Sequence, residues 1–155
     1  MLNLGAQGKK ALIVALQTRV CAIPLTHVVE TMRPLPMERI AGTPAFVQGV
    51  AIIRGTPTPV VDLGAILGIP IRDAGRLVTL HVANRQVAVS VSAVIGVRDL
   101  SAGALPELPP LLSGASAEVI ETVGTLDERF LTVLREGWEL PQEIWSVLAT
   151  QEVFS

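Results

Sequence analysis

An all-β fold, either one barrel or two small paired barrels, is what this sequence predicts. Three observations predict it. Apolar residues alternate with small or polar ones in short runs, at period two rather than the helical 3.6. About nine or ten such runs recur at spacings of ~8–12 residues. Gly, Pro, Asn and Asp punctuate the intervals, where turns need their backbone freedom or constraint. Half of the 155 residues are hydrophobic, enough to bury a core without disulfides, in one domain or two small subdomains sharing a core.

Residues 11–16 and 20–23 are short apolar runs around Gln17-Thr18-Arg19, which reads as a hairpin. Residues 26–32 continue with β-branched side chains. Residues 34–44 carry Pro36 and the polar pair Glu38-Arg39 and read as a connector. Residues 46–53 and 58–61 predict two strands joined around Arg54-Gly55. Pro57 and Pro59 cannot donate to a ladder, so the second strand belongs at an edge or starts irregularly. Asp62 is placed to cap a short helix over 63–67 that Gly68 and Pro70 end, with a loop over 71–75. The clearest hairpin is 76–82 with 86–91 around Ala83-Asn84-Arg85. In its second strand Val87, Val89 and Val91 alternate with Ala88 and Ser90, giving one apolar face and one of small residues. Residues 94–97 add a strand, and 101–114 read as a long loop with apolar anchors. Residues 119–123 and 130–134 form a last hairpin across Leu126-Asp127-Glu128-Arg129. Pro141 suits the first turn of a C-terminal helix with Ile144, Trp145 and Leu148 on one face.

Composition narrows function. There is no Tyr, with three Phe and two Trp, so stacking platforms for bases or sugars are nearly absent. A net charge of −2 gives no footprint for nucleic acid or an anionic membrane. All the basic residues except Lys9 and Lys10 are Arg, which suits fixed bidentate contacts. Cys21 is the single cysteine, so no internal disulfide forms and a reducing compartment fits. The basic start and apolar run over 9–16 are too short for a signal peptide, and no segment approaches the ~20 apolar residues that span a bilayer. The chain reads as cytoplasmic.

Chemistry-bearing constellations are few. His27, His81 and Cys21 have no metal-ligand spacing, and partly buried strand positions account for them. No nucleophile elbow is present, so no catalytic residue is assigned. Glu30 with Asp62, or Asp127 with Glu128, are the carboxylate pairs available for acid–base work; the second occupies a predicted turn, where solvation is the ordinary role. Arg54-Gly55 lacks the glycines, the Lys and the following helix of a phosphate loop. Arg54 therefore either pins its turn by pairing with Glu30 or Asp62, or presents its donors to a partner. Val29, Met32, Leu35 and Met37 are apolar positions that either face a partner or pack on a neighbouring barrel.

The stretch Phe46-Val47-Gln48-Gly49-Val50-Ala51-Ile52-Ile53-Arg54-Gly55, followed by Pro59-Val60-Val61-Asp62-Leu63, resembles the signature of the CheW-like domain family, roughly Y/F-V/I-x-G-V-x-N-L-R-G-x-x-x-P-V/I-V/I-D-L. Ala22-Ile23-Pro24-Leu25, Val28-Val29-Glu30 and Thr43-Pro44-Ala45 are similar to its approach. Residues 76–97 resemble its second half, and Leu126-Asp127-Glu128-Arg129-Phe130-Leu131 its closing hairpin. The likeness runs over about residues 9–134. It implies a single domain over 9–149, made of two interlocked SH3-like five-stranded β-barrel subdomains with short helices, including a C-terminal one. It also implies an adaptor without catalysis, cofactor or metal, which couples the signalling tip of methyl-accepting chemoreceptors to the regulatory domain of a CheA-type histidine kinase and is recruited to membrane-associated receptor arrays. Receptor contacts would map onto Val28, Glu30 and Arg54, with Gly55 completing the turn and Asp62 the cap; no kinase-binding residues are assigned. Two departures stand out: Ile52 replaces the family's Asn, and Leu134-Arg135-Glu136-Gly137-Trp138 departs from the usual acidic ending. They fit a variant serving a pilus-type or other alternative pathway. One rival reading is a small enzyme or ligand binder using Glu30, Arg54, Asp62 and His27, which requires these side chains to converge in a pocket; the other is a CheW-like module that only oligomerises, without receptor contact.

Overall fold

A computed structural model describes residues 10–69, 74–100 and 120–150. Its strands are β1 (Lys10–Leu16), β2 (Arg19–Pro24), β3 (Val28–Met32), β4 (Val47–Ile53), β5 (Thr56–Asp62), β6 (Arg76–Val82), β7 (Arg85–Val91), β8 (Ala93–Asp99), β9 (Ile120–Leu126) and β10 (Arg129–Leu134). They form two five-stranded sheets, ordered β8-β1-β2-β10-β9 and β3-β6-β7-β5-β4. The expected helix stop at Pro70, the loop over 101–114 and the strand start at Val119 lie outside the described residues. So do most of the loop over 71–75 and the side chain of Leu148.

The two sheets repeat one plan. In each, two antiparallel hairpins lie side by side through a short parallel pairing, Val20 to Ala22 with Leu131 to Val133 in one and Val60 to Asp62 with Ala88 to Ser90 in the other. A single further strand, β8 or β3, completes one edge. Register shifts, each with one extra residue, bend β3, β4, β8 and β9 locally, as the curl of a small SH3-like barrel requires. The chain lays down β1 and β2, builds the whole second barrel, and only then returns to finish the first, so the barrels interlock.

Tight turns set the hairpins. Ala83-Asn84 (φ 53° and 63°), Arg54-Gly55 (54° and 79°) and Asp127-Glu128 (50° and 66°) are left-handed at both central residues, the twist that lets strands pair across two residues. The strand expected from residue 26 begins only at Val28, because Leu25–His27 forms a 3-10 turn. The strand expected over 58–61 is longer, Thr56–Asp62, and both prolines lie inside it. Its first half still behaves as an edge, since β7 pairs with β5 only from Val60 onward. On the β4 side, Val50 spends its N–H and C=O on Glu38 at 2.8 and 2.9 Å, so they point away from β5. Val50 with Pro59, and Ile52 with Pro57, are therefore pairs that exchange no backbone hydrogen bonds, and proline removes no bond there.

The strands other than the outer β3 and β8 mostly bury both faces. Ala11, Ile13, Val20, Ala22 and Leu131 fill the first barrel, and Ala51, Ile53, Val60, Leu77 and Ala88 the second. The alternate residues, Leu12, Val14, Cys21 and Ile23 with Val61, Val78, Val87 and Val89, meet in a core shared by both. This explains the small face of β7: Ala88 fits a narrow barrel interior while the valines fill the wider space between barrels. Each fully buried aliphatic side chain contributes roughly 1.5–3 kcal/mol.

After β10 the chain crosses the shared core. Trp138, Leu140 and Ile144 are buried in it, and the helix Gln142–Thr150 begins just after Pro141, whose carbonyl accepts from the Ile144 N–H at 3.0 Å. The Arg85 guanidinium lies 4.6 Å from the Trp145 ring centroid, tying this helix to the β6–β7 turn. No helix among the described residues is long and apolar enough to cross a membrane.

Candidate functional site

The site begins on β3, an outer strand of the second sheet. The β3–β6 register shifts between Val28 and Glu30, leaving Val29 as the unpaired, exposed residue of a bulge. Val28 turns inward onto the shared core. Glu30 is fixed at its backbone, where its N–H donates to Thr79 Oγ1 at 3.2 Å and its carbonyl accepts from the same hydroxyl at 3.3 Å.

Arg54 arrives from the opposite edge, at the tip of the β4–β5 hairpin. Its Nε donates to Glu30 Oε2 at 3.0 Å and its Nη2 to Oε1 at 2.8 Å, a bidentate fork. These hydrogen bonds hold the Glu30 carboxyl below its ordinary range. The Arg54 side chain is 76% exposed and that of Glu30 27%. The pair does two things at once: it ties the outer strand β3 to the hairpin of the other outer strand, and it displays a charged fork at the surface. The first barrel closes the same way with the polarity reversed: Arg98 on outer strand β8 donates to Asp127 in the β9–β10 turn at 2.8 Å.

Of the residues singled out in the sequence, Glu30 and Arg54 come together, with Gly55 beside Arg54 in the turn, while Val28 packs on the shared core. Asp62 does not join them. It sits at the far end of β5, ~20 Å away along an extended strand. There its Oδ1 accepts from the Ala65 N–H at 3.1 Å and caps the short helix Leu63–Ile66. His27 is buried elsewhere: its Nε2 accepts from the Gly137 N–H at 3.1 Å, with Glu136 Oε2 at 3.8 Å. Glu136 in turn accepts from the Thr26 hydroxyl. Burial lowers the His27 pKa, against an opposing pull from Glu136. Cys21 lies in the shared core, where burial pushes its thiol well above the ordinary range. His81 is exposed on β6, and no three His, Cys, Asp or Glu residues among the described ones could hold a metal ion. The side chains of the ligand-binder reading do not converge. A cleft of about 600 Å³, lined by Phe46, Ile66, Trp138 and Leu140, opens beside the start of β4 and the end of β5, at the other end from Arg54.

Met32, Leu35 and Met37 pack against the core of the second barrel, so of the four apolar candidates only Val29 faces outward. Ile52 is also exposed, beside the Arg54 turn. On the first barrel Ile95, Val97 and Phe130 are exposed, and sequence reasoning misses them. Period-two patterning marks a strand, but it does not say which of its faces is covered when both faces of most strands are apolar.

Comparison with known proteins matches the CheW-like domain family over residues 10–136. A curated relative, the chemotaxis protein CheW of Klebsiella aerogenes, is 28% identical over 130 residues, covering 82% of this chain and 78% of the relative. The crystal structure of the scaffolding protein TtCheW from Thermoanaerobacter tengcongensis superposes with a TM-score of 0.70 at 22% identity, covering 83% of this chain and 90% of that one.

Proposed function

The chain belongs to the CheW-like domain family, and we propose that it acts as a non-catalytic chemotaxis adaptor, coupling a chemoreceptor signalling tip to the regulatory domain of a CheA-type histidine kinase. The observation that carries this reading is the Arg54–Glu30 fork. It is bidentate, anchored on β3 at one side and on the β4–β5 hairpin of the same sheet at the other, and displayed beside exposed Val29 and Ile52. A fixed charged pair on an apolar surround is what a docking face for another protein requires. It is not what catalysis requires, since both carboxylate oxygens accept from Arg54 and no other titrating group among the described residues shifts the Glu30 carboxyl.

An adaptor needs two faces in fixed geometry. The second is supplied by the first barrel, where Ile95 lines a hollow with Arg98 and Asp127 and where Val97 and Phe130 are also exposed. The shared core joins the barrels so that a partner on each is held at one relative orientation. In this reading Val28, Glu30 and Arg54 serve the receptor and the first-barrel face serves the kinase.

Calorimetric titration tests it, using a receptor signalling-tip fragment and the kinase regulatory domain in turn. Both bind the wild type, and Arg54→Ala weakens only the receptor, with its unfolding midpoint close to wild type because an exposed ion pair contributes little to stability. If neither fragment binds a correctly folded sample, the adaptor reading fails. If Arg54→Ala unfolds, the fork is a structural closure and the receptor assignment is wrong.

A further inference from the structure

We infer that Ile52 sets partner choice at the Arg54–Glu30 fork, and that the receptor segment it selects presents an aliphatic side chain next to an oxygen acceptor. The inference rests on the adaptor reading. Ile52 is 62% exposed, against 55% or less for Val29, Ile95, Val97 and Phe130. Its neighbours Ala51 and Ile53 fill the second barrel, so alternation turns it outward. Opposite it stands Pro57, also exposed, in a pair without backbone hydrogen bonds, where strands approach to ~4.5 Å between Cα atoms. The two side chains make one apolar platform ending at the Arg54-Gly55 turn.

The charges beside that platform add little attraction. Glu30 already neutralises Arg54 and takes the Nε–H and one N–H of Nη2, which leaves both N–H groups of Nη1 and the second of Nη2 on a side chain that is 76% exposed. Those donors suit a neutral or anionic oxygen and give direction. Affinity must come from covering the platform. A polar side chain set on Ile52 and Pro57 would lose water and gain no partner, so the platform discriminates in favour of an aliphatic one.

The test compares wild type, Ile52→Thr and Ile52→Val, titrated with the receptor signalling-tip fragment at two temperatures. Thr keeps the β-branched shape and exchanges a methyl for a hydroxyl. Ile52→Thr is expected to raise Kd about tenfold and make the heat-capacity change of binding less negative. Ile52→Val should stay within about threefold of wild type. The unfolding midpoint and the kinase-domain affinity should not move, since the side chain is exposed. Ile52→Thr binding within about twofold of wild type, with an unchanged heat capacity, overturns the inference. If Arg54→Ala weakens receptor binding while Ile52→Thr does not, this inference alone falls. A wild type that does not bind the fragment overturns the adaptor reading, and this inference with it.

Discussion

Gly49 is a position where a single methyl group would matter. A Cβ there would lie 2.5 Å from the carbonyl oxygen of Glu38, the atom that accepts the Val50 N–H. Gly49→Ala should separate the connector from β4 and lower unfolding stability by about 2 kcal/mol or more, read from urea denaturation. A loss under about 0.5 kcal/mol would mean that the Glu38 bridge yields easily. His27 makes a different prediction, from its pH dependence. Its pKa is lower folded than unfolded, so the unfolded chain takes up the proton more readily. The stability it contributes is complete above the ordinary histidine value near ~6.5 and is lost as pH falls below that toward the folded value. The urea midpoint of wild type should therefore drop between pH 7.5 and 5.5. His27→Gln, whose amide oxygen can accept from Gly137 without titrating, should flatten that drop; equal slopes in the two proteins would refute the assignment.

Hairpins are the most legible elements, because their information is local: period-two alternation on both arms, and a two-residue turn between them. The turn at Ala83-Asn84 goes further than its sequence advertises. Ala83 stands at φ 53°, a conformation that a residue with Cβ and no local hydrogen bond adopts at a cost of roughly 1–2 kcal/mol. Ala83→Asn should raise stability by about 0.5–1 kcal/mol, measured by thermal or urea unfolding. A neutral or destabilising result would place the strain elsewhere. The prolines of β5 signal an edge, yet β5 is an inner strand; only its first half lacks a neighbour on the β7 side. Sequence places the start of β3 too early because β-branched Thr26 fits a strand, while its hydroxyl in fact serves Glu136 from a 3-10 turn. That contact joins residues 110 apart in sequence, which local patterning cannot register.

At the scale of the whole molecule, the family resemblance carries most of the architecture and periodicity very little of it. Alternation marks strands but not sheet order, and the parallel pairings of β2 with β10 and β5 with β7 connect segments far apart in the chain. The candidate site is half visible in sequence. Arg54 is marked by its turn, but choosing Glu30 over Asp62 as its partner requires knowing that β3 lies across the barrel mouth and that Asp62 lies at the other end of β5. The reversed pair Arg98 with Asp127 is invisible in sequence, since neither residue is unusual where it stands. The two barrels are joined through a shared core, which would hold the two proposed faces, one on each barrel, in one relation. An adaptor must hold both partners at once, which light scattering on a size-exclusion column measures. With the protein, the kinase regulatory domain and a receptor signalling-tip fragment mixed, a single species with the summed mass of all three is the predicted result. Two binary complexes that displace one another would contradict it, because both partners would then be using the same face.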